Sequence, residues 1–132
     1  MAVTRARAAL RIGSESATAA GVSTALGIEP SHAFERGEPF GRHGGVREHA
    51  LWMLDSSLAD SEPLERHLYL LLELIAPAAD AVDVLASDGY WLDWFCFVSQ
   101  DGQGAVELSP NLLQSLSRHP ISLVLDLYGG EE

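Results

Sequence analysis

The sequence predicts an α+β fold, a two-layer sandwich in which helices pack on one face of a mixed β-sheet. Three observations lead there. Residues 4–12 alternate with period two, Thr4, Ala6, Ala8, Leu10 and Ile12 on one side and Arg5, Arg7, Ala9 and Arg11 on the other, which is a half-buried strand with an arginine-lined open face. Leu64, Leu68, Leu71, Ile75, Ala78, Val82 and Leu85 recur at steps of three and four, the stripe of an amphipathic helix. The strand-like segments carry one mixed or charged side, so helices are expected to cover the other side only. The expected order is β-α-β-α-β-β-α-β within a single domain spanning 1–132, a length that can bury its own core.

The elements follow in order. After the first strand, Ser14 or Ser16 offers an N-cap, and residues 17–27 read as a short helix closed by Gly27. Residues 29–45 contain Pro30, Pro39 and several glycines without periodicity and are expected to form a long loop. Val46 to Asp55 alternates as a second strand. Ser61 is the expected cap of the long helix, Glu62 and Glu65 suit its positive end, and Pro77 is expected to kink or break it. Tyr90 to Ser99 is an aromatic-rich strand with Tyr90, Leu92, Trp94, Cys96 and Val98 on its apolar side. Asp101 to Gly104 suggests a hairpin turn into a strand over 105–108. Ser109-Pro110 marks a helix start with Leu112, Leu113 and Leu116 as its apolar face. Ile121, Leu123, Leu125 and Leu127 line a last strand, followed by a tail at 129–132.

Composition excludes several functions. The 132 residues carry eight basic groups, all arginine, against 19 acids, a formal charge of −11. Without lysine there is no P-loop NTPase and no Schiff-base or pyridoxal chemistry. Residues 1–50 hold six arginines and five acids while 51–132 hold two arginines and fourteen acids, so the positive groups are concentrated early and the remainder is strongly acidic. That balance disfavours nucleic acid as a partner. No apolar run is long enough to span a bilayer, and Arg5, Arg7 and Arg11 interrupt any signal-peptide core, so a cytoplasmic protein without membrane association is expected. The one cysteine, Cys96, allows no internal disulfide, and its place on an apolar strand side makes it inert core.

Several short motifs occur in a characteristic order: LGIEPS at 26–31, GEP at 37–39, LW at 51–52, ELSP at 107–110 and LVLDLYG at 123–129. In their order and spacing they resemble a bacterial family of unknown function, domain-of-unknown-function family 4279, over roughly residues 5–129. The resemblance implies a small α/β domain and transfers no catalytic residue. The motifs themselves look structural, setting proline and serine where helices end or begin.

Two surfaces are candidates for function. The segment 29–49 gathers arginines, histidines and glycines, and Arg36, Arg42, His43 and Arg47 with the Gly44-Gly45 amides form a candidate anion site, because planar guanidinium groups grip phosphate or carboxylate in forked pairs. A metal site could use His32, His43 or His49 with a carboxylate, although their spacing is irregular and no HExxH or His-x-His pair places two ligands on one face. The second candidate is the open sheet face, where Arg5, Arg7, Arg11, Trp91, Phe95 and Tyr128 supply the residue types that anchor protein interfaces. Asp93 and Asp126 are expected to pair with the arginines there, Arg7 with Asp126 among them. No catalytic residue, metal or cofactor is predicted. The expected function is a non-catalytic protein-interaction domain, of immunity or regulatory type, with a basic partner and a homodimer covering the open face. The rival is a small-anion or metal-binding domain, enzymatic or not, built on the loop 29–49.

Overall fold

The computed structural model describes residues 4–129. At its centre β1, Thr4–Ser14, buries Ala6, Ala8, Leu10 and Ile12 and turns its arginines outward, as its alternation predicts. The Ser14 hydroxyl accepts from the amides of Ser16 and Ala17 and steers the chain out of the sheet. The cap of α1 (Ala19–Leu26) is therefore Thr18, not Ser14 or Ser16; its hydroxyl accepts from the Gly21 amide at 3.0 Å. Gly27 ends the helix at φ 68°, the left-handed conformation glycine adopts without penalty.

Residues 29–45 are only partly the irregular loop expected. They contain β2 (His32–Phe34) and a small hairpin of β3 (Pro39–Phe40) and β4 (Gly45–Val46). Segments of two or three residues carry no legible period, and β2 exists because β5 (Ala50–Asp55) offers it a ladder. The strand expected from Val46 to Asp55 is thus divided between the hairpin and β5. Ala50, Trp52 and Leu54 of β5 are buried.

The long helix breaks at Pro77 as expected. It consists of α2 (Leu64–Ile75), a short 3-10 turn over Ala76–Ala78 and α3 (Ala79–Ser87). Pro63, rather than Ser61, stands at its N-cap. Leu68, Leu71, Ile75 and Val82 are fully buried against Leu10, Ile12, Trp52 and Trp94 of the sheet. The carboxylate of Glu65 in the first turn accepts from the Ser109 amide at 2.6 Å, tying α2 to the start of α4 (Pro110–Leu116). Ser109 caps α4 through the Leu112 amide, with Pro110 at the first helical position.

The main sheet has the order β2-β5-β1-β6-β7, with β6 spanning Trp91–Gln100 and β7 Ser122–Gly129. All neighbours are antiparallel except β6 and β7, which run parallel, and the crossover between them carries α4. The sheet is mixed and the helices lie on one side of it, as an α+β sandwich requires. The strand expected at 105–108 is absent: residues 105–107 are exposed, and the side of β6 away from β1 is occupied by β7. The order is accordingly β-α-β-β-β-β-α-α-β-α-β, with α2 and α3 the two halves of one broken helix. Of the expected tail, residues 130–132 lie outside the described residues.

Candidate functional site

Alternation along β1, β5, β6 and β7 decides which side chains reach the open face, and register decides which meet. Arg7 stands opposite Phe97, Ala9 opposite Phe95, Arg11 opposite Asp93 and Gly13 opposite Trp91. Beyond β6, Asp126 is level with Phe97 and Tyr128 with Ser99, which itself faces Arg5. All six residues expected on this face, Arg5, Arg7, Arg11, Trp91, Phe95 and Tyr128, lie on it.

Their contacts form a ladder of rings and guanidinium groups. Arg11 lies 4.1 Å over the Phe95 ring and 5.6 Å over Trp91. Trp91 meets His49 at 6.1 Å, and His49 meets Phe34 edge-on at 5.8 Å. The Arg47 guanidinium is held between Phe34 and Phe40, at 4.0 and 4.3 Å from their centroids. At the other end Arg7 lies 5.6 Å over Phe97, whose ring stands 5.1 Å from Tyr128. A cation over a ring face is attracted by the ring quadrupole, and the flat guanidinium also stacks. The segment 29–49 therefore closes one end of the face through Phe34, His49 and Arg47.

Two of the positive charges, those of Arg11 and Arg7, are answered by carboxylates. Arg11 makes a forked pair with Asp93, 2.9 and 2.8 Å, and Asp93 is almost wholly buried. Arg7 makes a second fork, both bonds 3.1 Å, with Asp60 and not with Asp126. Arg7 and Asp126 are separated by β6, where Phe97 stands level with both, while the turn holding Asp60 reaches over β1 through the Ala6 amide and the Asp60 carbonyl. Asp126 has no ion pair among the described residues. The Arg7 guanidinium holds the Asp60 carboxyl below its usual value near 3.8 and is itself raised by it. A carboxyl lower in the folded than in the unfolded state adds stability above the unfolded value and loses it as pH falls through the folded one. Carbon-detected NMR titration of Asp60 should give a midpoint below 3.8 that Arg7→Ala moves upward; a midpoint unmoved by that substitution would contradict the pairing.

Between β5 and β6 the floor drops where Ala9 has no bulk. A groove of about 380 Å³ results, walled by Met53, Leu58, Phe95 and Phe97 and rimmed by Asp55, Asp60 and Arg7. Ser57, also on its rim, has φ 62°, the one non-glycine residue with positive φ among those described. That conformation costs an L-residue about 1 kcal/mol and marks a segment held in shape by its neighbours.

The four candidate anion ligands are placed differently. Arg36 donates to the Glu15 carbonyl at 3.0 Å, and Arg47 is stacked between its two rings. Arg42 and His43 stand exposed on the turn joining β3 to β4. A second hollow of about 610 Å³ adjoins Arg47, Gly44 and Gly45 without Arg36, Arg42 or His43 in its lining. The N-terminus of α1 already has its anion, since Glu35 accepts from the Ala19 and Ala20 amides at 2.8 and 3.0 Å. His32 faces Asp55 at 3.5 Å. Among the described residues, no three His, Cys, Asp or Glu side chains are grouped to hold a metal ion.

Phe97 was legible in the sequence, sharing the period of Trp91 and Phe95. Asp60, Phe34, His49 and the stacking of Arg47 were not, because tertiary packing brings them to the face from segments outside its central strands. Cys96 lies buried on the opposite side of β6, and burial, with a smaller effect of Asp93, pushes its thiol up to about 12. The native protein should resist a thiol-specific reagent at pH 8 and react only in denaturant; rapid native labelling would contradict that placement.

Fold and site define a small α+β domain that leaves one face of its sheet uncovered and lines it with stacked aromatic and arginine side chains. The chain belongs to a family described as a domain of unknown function, DUF4279, whose model matches residues 4–130. Comparison with curated proteins and with solved structures finds no match. Three of the short sequence motifs serve the fold: Ser31 of EPS accepts from the Asp55 amide, Trp52 of LW buries its ring and donates to Ser23, and Ser109-Pro110 starts α4. No described helix is long and apolar enough to cross a membrane.

Proposed function

We propose that this chain is a non-catalytic protein-interaction domain of a bacterial cytoplasm, with the open sheet face as its docking surface. The observation that carries the reading is the groove between Met53, Leu58, Phe95 and Phe97, flanked by the arginine–aromatic ladder. Aromatic and arginine side chains dominate the energetics of protein interfaces when they are held rigid before binding, and here stacking and forked ion pairs hold them. The partner is a basic protein. Asp55 and Asp60 rim the groove, and the chain carries −11 overall, which steers a positive surface toward it. A partner segment with an apolar side chain beside a lysine or arginine suits this geometry. An immunity or regulatory role fits such a binder.

The test is affinity capture from native lysate with wild type and a Phe95→Ala/Phe97→Ala variant of unchanged circular dichroism. A basic protein held by wild type, released by salt and lost on the variant supports the reading; capture undiminished by the variant overturns it. The second reading, an anion or metal site on segment 29–49, rests on Arg47, whose stacked guanidinium borders the 610 Å³ hollow beside Gly44 and Gly45. A thermal-shift panel of phosphate, nucleotides, organic acids and divalent metals tests it. Specific stabilisation lost on Arg47→Ala or Arg42→Ala would favour that reading over docking.

A further inference from the structure

The two edges of the sheet are not alike. β2, at one edge, has three residues and is followed by the β3–β4 hairpin. β7, at the other, has eight residues, no proline and one charge, Asp126. Proteins usually blunt a long edge with lysine, proline, a bulge or a covering segment, because its free amides and carbonyls template another strand. Among the described residues β7 has none of these, and its apolar side is left out of the core. Leu123, Leu125 and Leu127 project on the helix side of the sheet, level with Trp94, Cys96 and Val98, yet remain 39%, 47% and 66% exposed. The helices α1 and α2 pack over β5, β1 and β6, and the leucine stripe lies beyond them.

We propose that β7 pairs antiparallel with β7 of a second copy, joining two five-stranded sheets into one of ten strands. The pattern of the strand is self-complementary. A two-fold axis through Leu125 sets Leu125 against its own mate and Leu123 against Leu127, so the six leucines form one stripe across the junction. In the same register Asp126 faces Val124 of the other copy, and Ser122 faces Tyr128, so no two carboxylates stand directly opposed. Moving the axis by one residue to Asp126 would oppose the two carboxylates, which is destabilising, so the charge pattern disfavours that neighbouring register. The surface is distinct from the open face, on which Asp126 and Tyr128 point the other way, and the proposal is independent of the docking reading.

Sedimentation velocity over a wide concentration range reads the assembly, with Leu125→Lys and Leu127→Lys as variants. Both positions are largely exposed, so both variants should keep the circular dichroism of the wild type. A wild-type dimer whose dissociation constant rises at least tenfold in each variant is the expected result. A monomer at all concentrations overturns the proposal, as does a dimer indifferent to both variants but dissolved by Trp91→Ala. The register is read separately by mild oxidation: Leu125→Cys should cross-link across the axis, since directly opposed residues in an antiparallel pair stand about 5 Å apart, within disulfide reach. Asp126→Cys should not; cross-linking through 126 and not 125 would refute the stated axis.

Discussion

His67→Ala is expected to lower the unfolding free energy by about 3 kcal/mol and Tm by roughly 10 °C. His67 is fully buried in α2, and both ring nitrogens are engaged. Nε2 lies 3.2 Å from the Glu62 carbonyl, which can only accept, so that nitrogen carries a proton. Nδ1 lies 2.5 Å from the Ser56 hydroxyl, and in the neutral ring it accepts from it. Ser56 in turn donates its amide to the Ala8 carbonyl at 3.0 Å. One imidazole thus joins the first turn of α2, the segment leaving β5 and the central strand. Alanine would leave a cavity, a buried Ser56 hydroxyl without its partner and a partly buried Glu62 carbonyl without its donor, and these penalties add. His67→Leu restores volume but not hydrogen bonds and should fall between alanine and wild type. Ser56→Ala in the His67→Leu background should then cost little, because the hydroxyl has already lost its partner. Urea unfolding measures all of these; a loss below about 1 kcal/mol for His67→Ala would show that the ring does not hold this junction. The consequence reaches the candidate site, because the segment His67 anchors carries Ser57, Leu58 and Asp60 to the rim of the groove.

That network also marks where sequence reasoning stops. The period-two pattern of β1 and the three-and-four spacing from Leu64 to Leu85 are local, so their buried faces follow from the residues alone. The break at Pro77 is local too, since proline removes an amide and clashes one turn back. The partition of the open face was legible for the same reason: Arg7, Arg11, Trp91 and Phe95 are fixed to one side by alternation. What alternation cannot supply is register. Arg7 meets Asp60, not Asp126, because a turn 53 residues along the sequence folds over β1, and nothing near either residue announces it. The false strand at 105–108 has a similar origin. The DGQG segment does contain a turn glycine, Gly102 at φ 81°, but the chain beyond it does not return along β6, whose free side is taken by β7 in parallel. β2 was hidden because its three residues form a strand only through distant β5, and β3 and β4 because strands of two residues carry no legible period.

Gly13→Ala should disrupt the open face more thoroughly than any change of charge on it. Gly13 is buried in β1, opposite Trp91, and its φ lies outside the left-handed region, so no backbone requirement explains a glycine there. The reason is the indole: a Cβ at position 13 would clash with Cζ2 and Cε2 of Trp91. The tryptophan packs against the backbone that glycine leaves bare, and that seat lets it reach His49 and Arg11. An alanine must push the ring off. Trp91 is 39% exposed and can swing into solvent, so the fold should survive at a cost of about 1–3 kcal/mol while the ladder parts at its middle rung. Near-ultraviolet circular dichroism should lose a tryptophan signal, and partner binding through this face should fall at least tenfold. Trp91→Ala separates the clash from the loss of the ring. In that background the clash with the indole is gone, so the second substitution should cost much less and the pair should be strongly non-additive. If Gly13→Ala instead costs the same with and without the indole, the glycine serves some other need and Trp91 is not seated by it.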